Sequence, residues 1–522
     1  MADSQQKQIS KGMATGSAGT ITSRISGLAR DMILSRCFGT NASISAFFFV
    51  FAIPNTFRRL FGEGALSEAF IPVFNEKLHK DGRSGAYIFL SQVLSILGMA
   101  LVSLCGIAIG LSFLIARLFP NALTPLEARL LPILLPYMIF ICLAGFLAGV
   151  LNTFRHFSVP AFAPVLLNLC LIAAALSGRY VISDDSFDPG VALAIGVLVA
   201  GVLQLLAVLP VLRHHGVKIQ FMPNFRSPGV RELGTLIIPG MIAAGAYQIN
   251  VLCDKFLANW LDKQYDCKAI ASLYYAERLV YLPVGVFAVA LTAACLPIMS
   301  RAFAKGEHDS MEDALFYSIR HILFLSLPCV AGLMILGKEA IQLFYGGGEF
   351  GAESLSVTLS VVMFYAPGIP AFAAIKIIRS AFYCRKNTKT PMRIGILCIV
   401  INVILNVCLM IPLRQRGLAL ATCISSFLNI TILSILLYRE IRPKSAKIRS
   451  FLLAVTKQLV VLSWAACAMY FCRFEVETGS RIVDTLLRLG IPTIAGVGVY
   501  LIGAALLKCA ELRELLGIFR RK

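Results

Sequence analysis

The sequence predicts an all-α polytopic membrane protein of about 14 transmembrane helices, built as two parallel-repeat six-helix lobes plus two C-terminal helices. Three observations carry that prediction. The 522 residues are 58% hydrophobic and 15% charged with mean hydropathy +0.78, whereas soluble domains are roughly 45–50% apolar and about 25% charged. Apolar runs of about 20 residues recur from one end of the chain to the other, each long enough to cross a bilayer as a helix. Landmarks also repeat. Gly190-Val-Ala-Leu-Ala returns as Gly417-Leu-Ala-Leu-Ala, and Asp31/Asp254, Pro72/Pro297 and Pro160/Pro391 keep nearly the same offset, 223–231 residues. One offset shared by four landmarks makes six helices repeat as six in the same orientation, a transporter architecture.

The spans read as 22–38, 44–62, 86–118, 129–152, 160–180, 190–213, 233–261, 270–300, 312–337, 354–384, 391–412, 417–439, 448–472 and 484–508. They divide the chain into an N-terminal segment 1–21, a first lobe 22–215, a linker 216–232, a second lobe 233–440, a C-terminal helix pair 441–508 and a basic tail 509–522. Lys and Arg gather in alternate loops, among them Lys77, Lys80, Arg83, Lys218, Arg226, Lys386, Lys389, Lys444 and Lys447. Acids mark the opposite loops, Asp184, Asp185, Asp188, Glu475 and Glu477. The positive-inside rule then places both termini in the cytoplasm. Residues 1–23 lack an apolar core and a cleavage site, so no signal peptide is expected.

Several function classes drop out. The net charge of +20 sits largely in short loops without interleaved aromatic residues, which excludes nucleic acid as a partner. The fifteen cysteines are scattered with no C-x-x-C pair, and the six histidines form no metal-binding pattern. Gly346-Gly347-Gly348 is followed by Glu349 and lacks the lysine of a phosphate-binding loop, so it reads as a turn. No catalytic residue, resident metal or cofactor is expected, and the chain is not read as an enzyme.

Charge inside the spans carries the functional signal. The first two spans hold Arg24, Arg30, Asp31, Arg36, Arg58 and Arg59, with Glu63 and Glu68 just after. An ionised group at mid-bilayer costs roughly 2.5–3.5 kcal/mol on insertion scales, so these groups must face protein or water. Glu63 lies four residues from Arg59 and can pair with it. Arg24, Arg30 and Arg58, with Glu277 and Arg278 in the eighth span and Lys376 and Arg379 in the tenth, leave cations in excess. Guanidinium forks match phosphate oxygens, so the excess points to an anionic, phosphate-bearing cargo. A second set, Asp254, Asn402, Asn406 and Thr422, offers carboxylate, amide and hydroxyl oxygens suited to a hard cation such as Na⁺, and Asp254 could instead carry a proton. The plainer reading of the same residues is interhelical hydrogen bonding.

The run Asn55-Thr-Phe-Arg-Arg-Leu-Phe-Gly-Glu-Gly-Ala-Leu-Ser-Glu-Ala-Phe-Ile-Pro72 resembles the signature of the bacterial MviN/MurJ family of lipid II flippases. That family lies within the multidrug/oligosaccharidyl-lipid/polysaccharide exporter superfamily. Ser23-Arg24…Gly27-Leu-Ala-Arg-Asp31, Leu151-Asn-Thr-Phe-Arg155…Pro160-Ala-Phe-Ala-Pro164, Tyr274-Tyr-Ala-Glu-Arg-Leu279 and Lys389-Thr-Pro391 extend the match in order along residues 20–440. The resemblance implies two six-helix lobes, with helices 13 and 14 lining a groove for the cargo's polyprenyl tail. It implies lipid II as cargo, moved by alternating access from the inner to the outer leaflet of the bacterial cytoplasmic membrane for peptidoglycan synthesis. The family's cavity residues carry over onto Arg24, Arg30, Arg58, Glu63 and Arg278, and its sodium site onto Asp254, Asn402, Asn406 and Thr422. Two departures stand out: Asn406 occupies a place where a second acid occurs in relatives, and Ser45 one where an Asp is common. The drive would be Na⁺, H⁺ or the membrane potential; partners would be lipid II, membrane lipids and the cell-wall synthesis or division machinery. The rival readings are a flippase for another polyprenyl-linked glycan and a drug/cation antiporter of the same superfamily.

Overall fold

The computed structural model describes residues 2–62, 65–154, 156–181, 188–474 and 481–520. Glu63, the acidic loops at 184–185 and 475–477, Arg155 and the last two residues lie outside the described residues. Among the described residues there are helices and no strand. In chain order they are α1 (Ala2–Phe38), α2 (Ala42–Phe57), α3 (Ala65–Lys80), α4 (Gly82–Leu118), α5 (Pro125–Leu134), α6 (Tyr137–Thr153), α7 (Ser158–Tyr180), α8 (Pro189–His214) and α9 (Pro228–Tyr265). There follow α10 (Ala269–Pro283), α11 (Val289–Ala304), α12 (His308–Tyr345), α13 (Ala352–Tyr365), α14 (Ile369–Cys384), α15 (Lys389–Leu413), α16 (Gln415–Ile441), α17 (Ser445–Phe471), α18 (Arg481–Leu506) and α19 (Ala510–Arg520). Twelve segments of the described chain are long and apolar enough to cross a membrane. With α1 and α9, the first span of each repeat, they account for the fourteen expected spans.

Local chemistry sets the starts. Asn41 caps α2 by accepting from the Ile44 amide, and Asp188 caps α8 through the Gly190 amide with Pro189 at the first helical position. Thr124 and Glu127 form a reciprocal capping box ahead of α5, again with a proline, Pro125, at its start.

The repeat is visible in the irregularities. A π-helical turn, Arg58–Gly62, closes the second span, and another, Val284–Ala288, interrupts the eighth. The fourth span breaks at Pro136 between α5 and α6, and the tenth at a 3₁₀ turn, Ala366–Gly368, that contains Pro367. Both pairs fall at the spacing of the sequence landmarks. A π turn leaves the helical ladder out of step, and such turns gather at functional sites.

The chain divides into two compact units, residues 1–259 with 348–350, and residues 260–347 with 351–522. The division falls inside α9, between Asn259 and Trp260, rather than in the linker 216–232. That linker is tied to α4: the Gln220 and Met222 amides donate to Ser91 and Ser95 Oγ at 3.3 and 2.9 Å.

In the first unit α1 lies along α7, α7 along α8, and α6 against α8. Its aromatic core centres on Phe70, whose ring meets Phe74, Phe89 and Phe146 at 4.7–5.3 Å. Phe70 belongs to α3, which lies between the expected second and third spans. The segment is helical because Leu66, Phe70, Val73 and Phe74 form one buried stripe, while Glu76 and Lys80 pair at 2.6 Å on the wet side.

In the second unit α15 packs along α16, α10 against α13, and α17 and α18 against α12. The C-terminal pair is pinned to α12 by Tyr500 Oη donating to the Phe324 carbonyl at 2.9 Å and Gln458 Nε2 to the Arg320 carbonyl at 3.2 Å. Lys447 adds contacts to Asp309, Glu312 and Asp313. The basic tail contains a helix, α19. Cys509 and Leu512 join the apolar cluster around Phe324, and the buried Glu511 faces Arg320 at 3.7 Å.

Candidate functional site

In the first unit, the apolar run of α1 is interrupted by charge. Arg30 and Asp31 are both buried, and the neighbours bond to each other: Nε and Nη2 of Arg30 donate to Asp31 Oδ1 at 3.0 and 2.6 Å. The third arm, Nη1, donates to Asn168 Oδ1 on α7 at 2.9 Å. Asn168 in turn donates to Ser26 Oγ and to the Ser23 carbonyl at 2.9 and 3.2 Å, closing a polar clamp between α1 and α7. Arg30 therefore departs from the sequence expectation of a surplus cation. Its charge is matched by the residue beside it, because burial away from water makes an unmatched guanidinium untenable.

Arg24 lies two turns earlier on α1 and is exposed. Arg58 opens the π turn after α2, half-buried, with Nε donating to Asn55 Oδ1 at 3.1 Å. The turn lies tight against α6: a Cβ built on Gly145 would stand 3.0 Å from Gly62 Cα, so any side chain there would push the two backbones apart. Ser67 Oγ donates to the Gly62 carbonyl at 2.8 Å, satisfying an oxygen that the ladder leaves over. Arg59 is exposed.

In the second unit Arg278 is exposed on α10, its guanidinium carbon 5.0 Å from the Tyr274 ring centroid and its Nη2 3.2 Å from Tyr274 Oη. One turn of α10 thus carries both the cation and the aromatic face that orients it. The neighbouring Glu277 accepts from Tyr365 Oη on α13 at 3.4 Å. On α14, Lys376 is exposed, while Arg379 Nε is buried without a hydrogen-bond acceptor.

The second expected set is split between the units. Asp254 belongs to the first unit, on α9. Asn402, Asn406 and Thr422 belong to the second, on the paired helices α15 and α16. Asn406 Nδ2 donates to Asn402 Oδ1, Asn402 Nδ2 donates to Ser425 Oγ, each at 3.2 Å, and Ser425 Oγ donates to the Thr422 carbonyl at 3.1 Å. The Thr422 hydroxyl is turned onto its own helix, donating to the Leu418 carbonyl at 3.0 Å. One turn beyond Ser425 the side-chain oxygen of Asn429 is buried without a donor. This seam supplies neutral amide and hydroxyl oxygens, which suit a hard monovalent cation. Its own hydrogen bonds also make it an interhelical join.

Sequence reasoning missed Asn168, Tyr365, Ser425 and Asn429, and took Tyr274 only as part of the Tyr274–Leu279 motif. A signal existed for three of them. Asn168 is the one amide in an otherwise apolar stretch of α7, and Ser425 and Asn429 continue the face of Thr422 at helical spacing. Tyr365 looks like any aromatic residue of a membrane helix.

Comparison with known proteins adds to this geometry. The family model described as "Lipid II flippase MurJ" matches residues 34–504. A Vibrio cholerae protein named "Probable lipid II flippase MurJ" is 34% identical over 441 residues, 82% of each chain. The "Lipid II flippase MurJ" of Burkholderia cenocepacia is 30% identical over 493 residues, 90% of this chain and 92% of that one. Among solved structures, a lipid II flippase MurJ in an inward closed conformation aligns with a TM-score of 0.77 at 26% identity, covering 96% of this chain and 99% of that chain. An inward-facing multidrug transporter of the MATE family aligns with a TM-score of 0.64 at 15% identity over 82% of this chain and 96% of its own, a likeness of fold.

Proposed function

The chain belongs to the MurJ family of lipid II flippases, and from that premise we propose that it carries lipid II from the inner to the outer leaflet of the bacterial cytoplasmic membrane by alternating access. The observation that carries the reading is a charge imbalance: residues 22–62 hold five arginines and one aspartate, and that aspartate is engaged by the buried Arg30. Arg24 and Arg278, both exposed, and the half-buried Arg58 are the groups that meet the diphosphate. Their forks supply paired donors to its oxygens, and charge-assisted bonds of this kind are roughly twice as strong as neutral ones. Arg30 serves by position, joining α1 to α7. Glu63, from the same motif as Arg58, is the acid against which the arginines re-pair when cargo leaves.

The polyprenyl tail can stay in the hydrocarbon while only the head crosses. An open, largely apolar surface of α17, formed by Ile448, Leu452 and Leu453 with Ser445, Arg449 and Thr456, is where the tail would lie against the C-terminal helix pair. Both termini lie in the cytoplasm. Asp254, with Asn402, Asn406 and Thr422, takes Na⁺ or a proton that biases the cycle, and the membrane potential, about 2.3 kcal/mol per charge per 100 mV, adds to the drive. No bond is made or broken, so the protein acts as a carrier and not as an enzyme. Cell-wall synthesis or division proteins are its partners; nucleic acid is not.

Reconstitution into liposomes with labelled lipid II, with and without a sodium gradient, tests the reading. Wild type should move label across the bilayer, and Arg24→Ala and Arg278→Ala should insert normally and fail to do so. Transport at the wild-type rate by both variants would overturn it.

A further inference from the structure

Away from the charged spans, the turn between α15 and α16 meets the end of α9 and the short segment after it, all within the second unit. They line a half-open cavity of about 310 Å³, formed by Cys267, Pro412, Leu413, Arg414, Gln415 and Arg416, at the lower end of the roughly 300–1,000 Å³ typical of small-molecule sites. The cavity stands at the N-terminus of α16, a 27-residue helix that begins without a side-chain cap. Unsatisfied amides and the aligned peptide dipoles leave partial positive charge at such an end.

Arg414 lies at the turn with φ 55° and lays its guanidinium on the Tyr265 ring, 3.1 Å from the centroid. Its Nη1 is buried there without an acceptor. Of the two carboxylates near the cavity, Asp266 in the loop is exposed, and Asp262 at the end of α9 is occupied elsewhere: it accepts from the Ala269 amide, from the Ile270 amide at 3.1 Å and from Cys267 Sγ at 3.8 Å. Burial and Asp262 push the Cys267 thiol up to about 12, so it adds no negative charge to the lining. Gln415 is 6% exposed, and its Oε1 is buried with no donor. An orphaned buried acceptor of this kind is destabilising unless a ligand or water meets it.

These demands are specific. Arg414, Arg416 and the helix end call for an anionic oxygen, while Gln415 Oε1 calls for an N–H or O–H beside it. Inorganic phosphate at neutral pH meets the first far better than the second, and a neutral sugar meets only the second. A carboxylate with an adjacent amide N–H meets both, and Pro412 and Leu413 offer an apolar wall for a short side chain. We infer that this cavity binds the C-terminal carboxylate of a short peptide, with Arg414 holding the carboxylate and Gln415 accepting the adjacent amide N–H. The inference stands apart from the transport reading, since none of its residues belongs to the diphosphate set.

The test is calorimetric titration of the full-length protein in nanodiscs with N-acetyl-alanyl-alanine, its C-terminal carboxamide, acetate and inorganic phosphate. Saturable binding of the dipeptide is expected, with the carboxamide and acetate weaker by about tenfold or more. Arg414→Gly, which tolerates the positive φ, and Gln415→Leu should each weaken the dipeptide by about tenfold at an unchanged melting temperature. Absence of saturable binding, phosphate binding more tightly than the dipeptide, or wild-type affinity in both variants would overturn the proposal. The comparison of the four probes on the wild-type protein decides the matter even if a variant fails to fold.

Discussion

Arg30 and Asp31 are adjacent in the chain and bonded through their side chains, with two guanidinium nitrogens converging on Asp31 Oδ1 at 3.0 and 2.6 Å. Successive residues on a helix point about 100° apart, so the pair closes only because the long arginine curls back over its own turn. Asn168 takes the remaining nitrogen, and the three groups make one satisfied polar island between α1 and α7.

Asp31→Asn should therefore act on folding. It strands a buried guanidinium, and breaking a buried pair from one side costs about 3–5 kcal/mol. Arg24→Ala, at an exposed position, should cost no more than about 0.5 kcal/mol. Thermal midpoints measured by fluorescence-detected size exclusion in detergent separate the two. A midpoint for Asp31→Asn equal to that of wild type would remove the clamp from the account.

Tyr274 and Arg278 make a different kind of pair, exposed and aromatic. Tyr274→Phe keeps the ring face and loses only the hydroxyl, so flipping in liposomes should fall by about threefold to tenfold, the equivalent of about 1 kcal/mol. If Arg278 meets the diphosphate as proposed, Arg278→Lys should fall further, because an ammonium cannot present two parallel donors to it. A lysine variant as active as wild type would mean that charge alone suffices there.

Twelve of the fourteen expected spans were legible because a membrane helix writes itself as a long apolar run, α1 and α9 only through their place in the repeat, and the repeat because prolines and glycines keep their spacing. The π turns at Arg58–Gly62 and Val284–Ala288 were not, since a shift in ladder register leaves no mark in composition. The surplus of arginine was legible as a count, yet which arginine was already matched was not. Arg30 is settled partly by Asn168, 138 residues away, and only packing brings that amide to it. Helix α3 was hidden by its short length and mixed charge, although its buried stripe follows helical spacing.

His215 gives a pH dependence outside the spans. Its ring stacks on Phe154 with centroids 5.1 Å apart, and burial together with His156, His214 and Arg83 holds its pKa below the usual histidine range. As pH falls below about 6.5 the unfolded chain takes up this proton before the folded one does, so stability is lost with acidification. The melting temperature should drop between about pH 6.5 and pH 5, and His215→Gln should flatten that slope. Equal slopes in the two proteins would assign the loss to other groups.

The seam of Asn402, Asn406, Ser425 and Thr422 has two readings that mutation can part. Asn402→Ala removes both a donor to Ser425 and an acceptor for Asn406, leaving buried polar groups unmet at about 1–3 kcal/mol. Thr422→Val removes only a bond from the hydroxyl to its own helix, so its effect on the melting temperature should be small. If the seam is only a join between α15 and α16, Thr422→Val is silent in every assay. If these oxygens take the coupling ion, Thr422→Val weakens the sodium dependence of lipid II transport while the melting temperature holds, and Asn406→Asp, which adds charge, strengthens it. Sodium titrations of transport in liposomes for the two variants give the answer, and a sodium response unchanged in both would leave the seam as glue and return Asp254 to a proton or to no ion at all.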